Sequence, residues 1–181
     1  MDKLFLGFFF LFLDFNLNFN GASLNLLPEW VGHILLYVAC GELLQESELF
    51  QKPRPFCAGM CLYTGILWLM ALLGIGIGST VLTVVLGLIS TCVSLYIAML
   101  VVDAITNVEM RRNYDLSAAH LRRVWKVLAI CSIAAILLLT LPAVALVCVL
   151  AAAVAGIVFL AAIHRTRKAY RQMLIEQSKP F

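Results

Sequence analysis

Charged residues are scarce in this 181-residue chain, in which Asp, Glu, Lys and Arg together make up 13% of the sequence and hydrophobic residues 63%. A water-soluble domain carries about 25% charged residues. The low charge and a mean hydropathy of +1.00 exclude an ordinary soluble fold. Because one membrane-spanning helix takes roughly 20 residues, the chain has room for about six spans and little else.

Two further absences narrow the classes of function. The six cysteines form no Cys-x-x-Cys pair and all lie in apolar stretches, which argues against a disulfide framework. The sequence also lacks the Gly-x-Ser-x-Gly, Walker A, Gly-x-Gly-x-x-Gly and Ser-x-x-Lys patterns of common active sites. The sequence therefore predicts no catalytic residue and no cofactor.

The apolar segments predict an all-α fold, namely a polytopic integral membrane helix bundle that forms a single domain. Breaks are expected at Lys52-Pro53-Arg54-Pro55, at the glycine-rich residues 74–79 and at Pro142. A short interfacial helix is expected at residues 117–126. Six transmembrane helices are predicted at residues 4–19, 26–44, 56–73, 80–106, 124–140 and 143–163, followed by a basic tail at 164–181 that continues the last helix.

The thirteen Lys and Arg residues occur only at alternate boundaries between these segments. The opposite connections, residues 14–27, 74–79 and 140–142, contain neither residue type. By the positive-inside rule, this pattern predicts three helical hairpins with both termini in the cytoplasm. Because the cations sit in short clusters beside apolar segments, the predicted partner is the anionic headgroups of a lipid bilayer and not nucleic acid.

Two ionisable residues in the second segment need an explanation. Glu29 and His33 are four residues apart and so share one helix face near the outer end. Ionisable groups at membrane depth usually face a cavity or a partner. With Asp14, Asn16 and Asn18 from the preceding turn, the pair predicts an outer-side polar pocket that binds a ligand.

A structural interpretation of the same residues stays open. Glu29 falls in the first turn of its helix, where the helix dipole favours an acid, and His33 and Asp14 could sit among hydrated headgroups. Glu-x-x-x-His supplies only two metal ligands, so no metal site is predicted.

Small residues recur at every fourth position of the fourth segment and again in the sixth. Such stripes let two helices approach closely, with hydroxyl groups bonding across the interface. The fourth and sixth helices are therefore predicted to pack together at the centre of the bundle. The predicted packing residues are Ser79, Thr83, Gly87, Thr91, Ala152 and Gly156.

Polar residues cluster where the fourth segment ends. Asp103 is followed by Asn107, Glu109 and the pair Arg111-Arg112. At a membrane interface this composition favours a network of salt bridges over a functional site.

Three stretches of the first 75 residues resemble small, uncharacterised membrane proteins of Gram-positive gut bacteria. They are Leu13-Asp14-Phe15-Asn16-Leu17-Asn18, Leu26-Leu27-Pro28-Glu29-Trp30-Val31-Gly32-His33-Ile34-Leu35 and Tyr63-Thr64-Gly65-Ile66-Leu67-Trp68. The resemblance implies a bacterial cytoplasmic membrane and directs attention to Asp14, Asn16, Pro28, Glu29 and Gly32. It brings no activity with it.

A second resemblance concerns only the number of spans in a chain of this length. Six spans in a chain of this length are also typical of the substrate-binding subunits of energy-coupling-factor vitamin transporters. The Ala-x-x-x-Ala docking pattern of their first helix is missing from residues 4–17. The likeness is therefore one of fold.

Three classes of function follow. The leading hypothesis is a small solute-binding or transport module, or a transporter subunit, with its polar pocket on the outer side. The alternative is a structural or regulatory membrane protein without its own substrate, acting through a membrane protein partner or a homo-oligomer. The third is an intramembrane enzyme using Glu29 and His33 as acid and base, for which the sequence supplies no nucleophile or metal set.

Overall fold

The computed structural model describes residues 1–12, 16–19, 22–25, 29–74, 80–137 and 142–177. Within these residues the fold is built of α-helices, with one small antiparallel hairpin in which Asn16 pairs with Asn25 and Phe19 with Ala22. Two short 3-10 helices, Leu43–Gln45 and Glu48–Gln51, join the second α-helix to the third. The elements are α1 (Asp2–Phe12), β1 (Asn16–Phe19), β2 (Ala22–Asn25), α2 (Glu29–Glu42), α3 (Pro53–Leu72), α4 (Thr80–Arg112), α5 (Ala118–Leu137) and α6 (Pro142–Gln177).

Three helices in the described part of the chain are long and apolar enough to cross a membrane. They occupy Glu48–Leu72, Val84–Arg112 and Leu146–Gln177. The predicted all-α membrane-type fold is confirmed at this level. The other three α-helices do not meet this criterion. Helices α1 and α2 have 11 and 14 residues, fewer than the roughly 20 that a span needs. Helix α5 has three cations in its first half.

Several predicted boundaries need correction. The sequence predicts an apolar helix through residue 19, but α1 ends at Phe12 and residues 16–19 form a strand. The alternation of Asn with Leu and Phe there has the period of a strand, which prevails over the helix. The interfacial helix expected at 117–126 is the beginning of α5, which runs without a break to Leu137. The tail continues α6 as helix to Gln177, as predicted.

Helix α1 lies between α2 and α6 and runs antiparallel to both. Lys3 forms an ion pair with Glu42 at the end of α2. Asp2 forms ion pairs with Arg167, at 2.8 Å, and with Arg171, both in the later part of α6. These contacts bring the first residues of the chain to the same end of the bundle as the last turns of α6.

The other helices continue the antiparallel order, since α2 packs on α3, α3 on α4, α4 on α5 and α5 on α6. The three buried or half-buried hydrogen bonds that mark the later interfaces join Tyr63 Oη to the Leu86 carbonyl (3.0 Å), Trp125 Nε1 to the Leu95 carbonyl (3.1 Å) and Thr166 Oγ1 to the Leu116 carbonyl (3.0 Å).

Ion pairs gather at one end of the bundle, which we call the charged end. It contains the start of α1, the end of α2, the 3-10 helices, the end of α4, the start of α5 and residues 164–177 of α6. The pairs that define it are Asp2–Arg167, Asp2–Arg171, Lys3–Glu42, Glu46–Arg112 and Asp103–Arg122. The network expected around Asp103 differs in its partners, since Asp103 pairs with Arg122 of α5 and Arg112 pairs with Glu46.

The hydrophobic core lies towards the charged end, whereas the opposite half of α3 to α6 leaves large apolar side chains uncovered. Residues Ile97, Val101 and Ile105 of α4 are fully buried. Further from the charged end, Leu62 is 70% exposed and Val147 64% exposed. Uncovered apolar faces of this extent are what a lipid bilayer solvates.

The predicted packing of α4 against α6 is wrong for the described residues, in which the two backbones make no close approach. A Cβ built on Gly87 would meet nothing within 4 Å. Thr91 donates its hydroxyl to the Gly87 carbonyl of its own helix (2.9 Å) and not across an interface. Small side chains permit close packing but do not compel it, because larger apolar groups elsewhere decide which faces meet.

Among the other predicted packing residues, one is buried at a helix contact and one is not. Gly156 is buried and packs against Phe12 of α1, whereas Ala152 is only half-buried. Ser79 lies outside the described residues, and only the backbone of Thr83, within α4, is described.

Helices α1 and α2 approach each other closely at Gly7 and Gly32. A Cβ on Gly32 would lie 2.9 Å from the Gly7 carbonyl oxygen, and one on Gly7 would lie 3.0 Å from the Gly32 carbonyl oxygen. Both distances are below ordinary van der Waals contact, so the two backbones touch because neither residue has a side chain.

Candidate functional site

The predicted outer pocket centres on the first two turns of α2. Glu29 is the first residue of the helix and is half-buried. His33, one turn later, is completely buried. Asp14 lies outside the described residues, and for Asn16 and Asn18 only the strand backbone is described. The pocket therefore stays a prediction, with two of its five residues placed side by side on one helix.

The imidazole of His33 is the least expected polar group in this region. Neither Nδ1 nor Nε2 has a hydrogen-bond partner among the described residues. A buried polar group without a partner typically costs about 1–3 kcal/mol, and in most proteins such groups are paired. A ligand that forms a hydrogen bond with the buried His33 imidazole would therefore stabilise the folded protein.

Helix α3 packs against the start of α2, close to Glu29 and His33. The rings of Trp30 and Trp68 meet edge to face with centroids 6.2 Å apart, and β2 packs on α3. The start of α2 is thereby fixed against the end of α3 away from the charged end.

The structural interpretation of the pair fits only in part. Glu29 does occupy the first turn of α2, where the helix dipole stabilises a carboxylate. His33, however, is not at a surface, so it does not sit among hydrated headgroups. In the part of the chain that the structure describes, no three His, Cys, Asp or Glu side chains converge on a position that could hold a metal ion.

A second polar feature, which the sequence did not single out, is a cavity of about 310 Å³ at the charged end. It lies between the second 3-10 helix, α4 and α5, with the Asp103–Arg122 ion pair in its wall. Its lining residues are Leu49, Lys52, Leu100, Asp103, Thr106, Asn107, Met110 and Arg122.

Around this cavity, Glu46 and Ser47 tie the α2–α3 connection to distant helices. The Glu46 carboxylate accepts hydrogen bonds from Arg112 of α4 (3.0 Å) and from the Tyr170 hydroxyl of α6 (3.1 Å). The Ser47 hydroxyl is 2.8 Å from Asn107 Oδ1 and donates to it. These bonds join segments that are 60 to 124 residues apart in the sequence.

The start of α5 is capped from a distance. Glu109, near the end of α4, accepts hydrogen bonds from the backbone amides of Leu116 (2.8 Å) and Ala118 (2.9 Å). A carboxylate at a helix N-terminus satisfies unpaired amides and interacts favourably with the helix dipole. Glu109 thus fixes the α4–α5 corner.

Acidification tests the ion pairs of Asp2. The hydrogen bond from Arg171, together with the nearby Arg167, holds the pKa of Asp2 below its usual 3.8. A carboxylate with a depressed pKa contributes stability at pH values above about 3.8, and this contribution is lost as the pH falls through the lower, folded-state pKa. We expect Asp2→Asn to be slightly less stable than the wild type at pH 7, by less than about 1 kcal/mol because Asp2 and Arg171 are half exposed.

The measurement is thermal unfolding of both proteins in detergent between pH 7 and pH 2. The difference between them should shrink to nothing at the lowest pH. A difference that is constant over this range would mean that the charge of Asp2 contributes nothing.

Comparison of the chain with protein-family models, curated proteins and solved structures finds no match to any of them. The resemblance to small membrane proteins of gut bacteria stays a prediction.

Proposed function

We propose that this protein is a multi-pass membrane protein in which the charged end faces the cytoplasm of a bacterial cell and both termini lie on that side. The cations of the described residues lie at the charged end or in the neighbouring turns, while residues 13–28, 75–79 and 138–141 contain no Lys or Arg. This distribution, combined with antiparallel packing of successive helices, supports an even number of crossings.

The lengths of the elements support six passes if the strand hairpin is included. Eleven helical residues of α1 span about 16 Å, and the four residues of β1 add about 13 Å. Together they approach the roughly 30 Å of a hydrocarbon core, and β2 with α2 does the same in return. The first hairpin thus crosses as helix on the cytoplasmic side and as strand on the outer side.

A strand hairpin at membrane depth has a specific consequence. Its outer edges carry unpaired backbone groups, which are tolerated there only where protein covers them or where they line a water-filled cavity. Packing of β2 on α3 covers one part. We infer that the rest of the hairpin edge faces protein or water and not lipid.

We assign to the protein a binding site for a small polar solute, most simply a cation, centred on His33 and Glu29. The observation that carries the assignment is the buried His33 ring with no hydrogen-bond partner among the described residues. The sequence prediction adds Asp14, Asn16 and Asn18 as further oxygen ligands of this site. The protein is accordingly a solute-binding or transport module, alone or as a subunit.

Two substitutions test the site in the purified full-length protein. Thermal unfolding is followed in NaCl, KCl or methylammonium chloride and compared with N-methylglucamine chloride at equal ionic strength. At least one probe cation should raise the unfolding temperature of the wild type, since a ligand at a hundredfold excess over its Kd stabilises by about 2.7 kcal/mol. Glu29→Gln and His33→Ala should abolish the increase.

Controls separate binding from folding. Glu48→Gln and His164→Leu change the same residue types at the charged end and should keep the response to the probe cation. His33→Leu, which fills the site with an apolar group, should unfold at an equal or higher temperature without the probe and yet not respond to it. If the wild type shows no response, or if Glu29→Gln and His33→Ala respond as it does, the site is not a binding site and a structural or regulatory role is favoured.

A further inference from the structure

A long apolar groove runs between α5 and α6 on the surface of the bundle. Its volume is about 600 Å³. Its floor and walls are aliphatic apart from a thiol, and its end near the start of α5 carries a cation and an imidazole. The lining residues are His120, Arg123, Val124, Val127, Cys131, Leu150, Ala151, Val154, Ala155 and Val158.

The dimensions of the groove match half a bilayer. Between His120 and Cys131 the helix rises about 16 Å, which is close to half of a hydrocarbon core of roughly 30 Å. The Thr166–Leu116 hydrogen bond sets the register of α5 against α6, so the His120 end of the groove is level with the charged end. The groove therefore reaches from the headgroup level of one leaflet to about the midplane.

The positive charge at the His120 end of the groove determines which ligand the groove favours. Arg123 is exposed and forms no ion pair with any described residue. Its neighbour Arg122, by contrast, is paired with Asp103. An unneutralised guanidinium above an apolar channel is complementary to a phosphate group attached to an acyl chain, because Arg binds phosphate oxygens through two parallel hydrogen bonds.

We propose that the α5–α6 groove is a binding site for a phospholipid with an anionic headgroup from the leaflet at the charged end. One acyl chain lies along Val127, Ala151 and Val154, and the phosphate is held by Arg123 with His120 beside it. This site is separate from the one at His33, and variants of either should leave the other unchanged.

The experiment is native mass spectrometry of the full-length protein in detergent, titrated with phosphatidylglycerol or phosphatidylcholine. The wild type should bind phosphatidylglycerol in preference to phosphatidylcholine. Arg123→Gln should weaken phosphatidylglycerol binding about fivefold, the effect of losing one cation near anionic lipid. Ala151→Phe, which occupies the exposed channel with a ring, should weaken both lipids.

Arg111→Gln is the matched control, because Arg111 is also an exposed arginine at the charged end, forms no ion pair with a described residue and does not line the groove. It should bind phosphatidylglycerol as the wild type does. Equal losses in Arg111→Gln and Arg123→Gln would overturn the proposal in favour of unspecific charge attraction. Circular dichroism and thermal unfolding of each variant verify that the helices are intact.

Two other occupants give different results. If inorganic phosphate displaces phosphatidylglycerol at millimolar concentration, the site recognises a free phosphate and the groove is not its lipid channel. If the spectra show a dimer that Ala151→Phe dissociates and no retained lipid, a second copy of the chain covers the groove. Either result overturns the proposal.

Discussion

Replacing Gly32 with alanine should destabilise the protein by about 1–3 kcal/mol, the usual effect of overpacking a tight interface. The added Cβ would stand 2.5 Å from Leu11 Cδ1 and 2.9 Å from the Gly7 carbonyl oxygen. The leucine methyl can rotate away, but the carbonyl belongs to the backbone of α1, so the helices must separate. Gly7→Ala should act similarly, since its Cβ would lie 2.8 Å from Leu36 Cγ.

The free energy of unfolding is measured by titration with sodium dodecyl sulfate, following helicity. Gly59→Ala is the control, because Gly59 is an exposed helical glycine with nothing within 4 Å of its Cβ position. It should be as stable as the wild type or slightly more so, given the higher helix propensity of alanine. The double variant Gly7→Ala/Gly32→Ala should lose less than the sum of the two single losses, because the first substitution already separates the helices. Equal stability of Gly32→Ala and Gly59→Ala would contradict the close contact of α1 and α2.

After Gly32→Ala, removal of the Glu46 carboxylate should cause the largest loss of stability. Glu46→Ala leaves the Arg112 guanidinium and the buried Tyr170 hydroxyl without their acceptor. The side chain of Glu46 is only 13% exposed, so water replaces the lost bonds poorly, and we expect a loss of about 1–3 kcal/mol in the free energy of unfolding. Glu46→Gln keeps an oxygen that accepts from Tyr170 but loses the charge. Its free energy of unfolding should lie between those of the wild type and Glu46→Ala.

Glu42→Ala is the matched comparison, four residues earlier. Its ion pair with Lys3 is about half exposed on both sides, and exposed pairs contribute at most about 1 kcal/mol. The ordering of unfolding free energies should therefore be wild type, then Glu42→Ala, then Glu46→Ala. A Glu42→Ala variant that is less stable than Glu46→Ala would show that burial does not govern these contacts.

Part of the candidate site could be predicted from residues alone. Spacing placed Glu29 and His33 on one helix face, because the period of a helix is a local property. Burial of His33 without a hydrogen-bond partner was not foreseeable, since it depends on which faces of α2 are covered by α1 and α3. The same limit explains the error about α4 and α6: a stripe of small residues is compatible with close packing, with lipid or with nothing.

The contact between Gly7 and Gly32 could be predicted only in part from the sequence. Gly32 lies in one of the stretches that carry the resemblance, but Gly7 had no feature to distinguish it from other glycines in an apolar run. Only the antiparallel register of α1 and α2 brings the two residues together. The lining of the α5–α6 groove likewise combines residues about 30 positions apart, and Arg123 differs from Arg122 only because α4 presents an acid to one of them.

The sequence by itself determined the membrane-type composition, the helical class and the absence of Lys and Arg from residues 14–27, 74–79 and 140–142, because these depend on local hydropathy and charge. It predicted six spans, of which the described residues show three helices that are long and apolar enough to cross a membrane. The tertiary structure decided which helices touch, where the core lies, which cations are neutralised and where α1 gives way to a strand. Such features depend on packing and pairing between distant segments, and no local pattern contains the register that sets them.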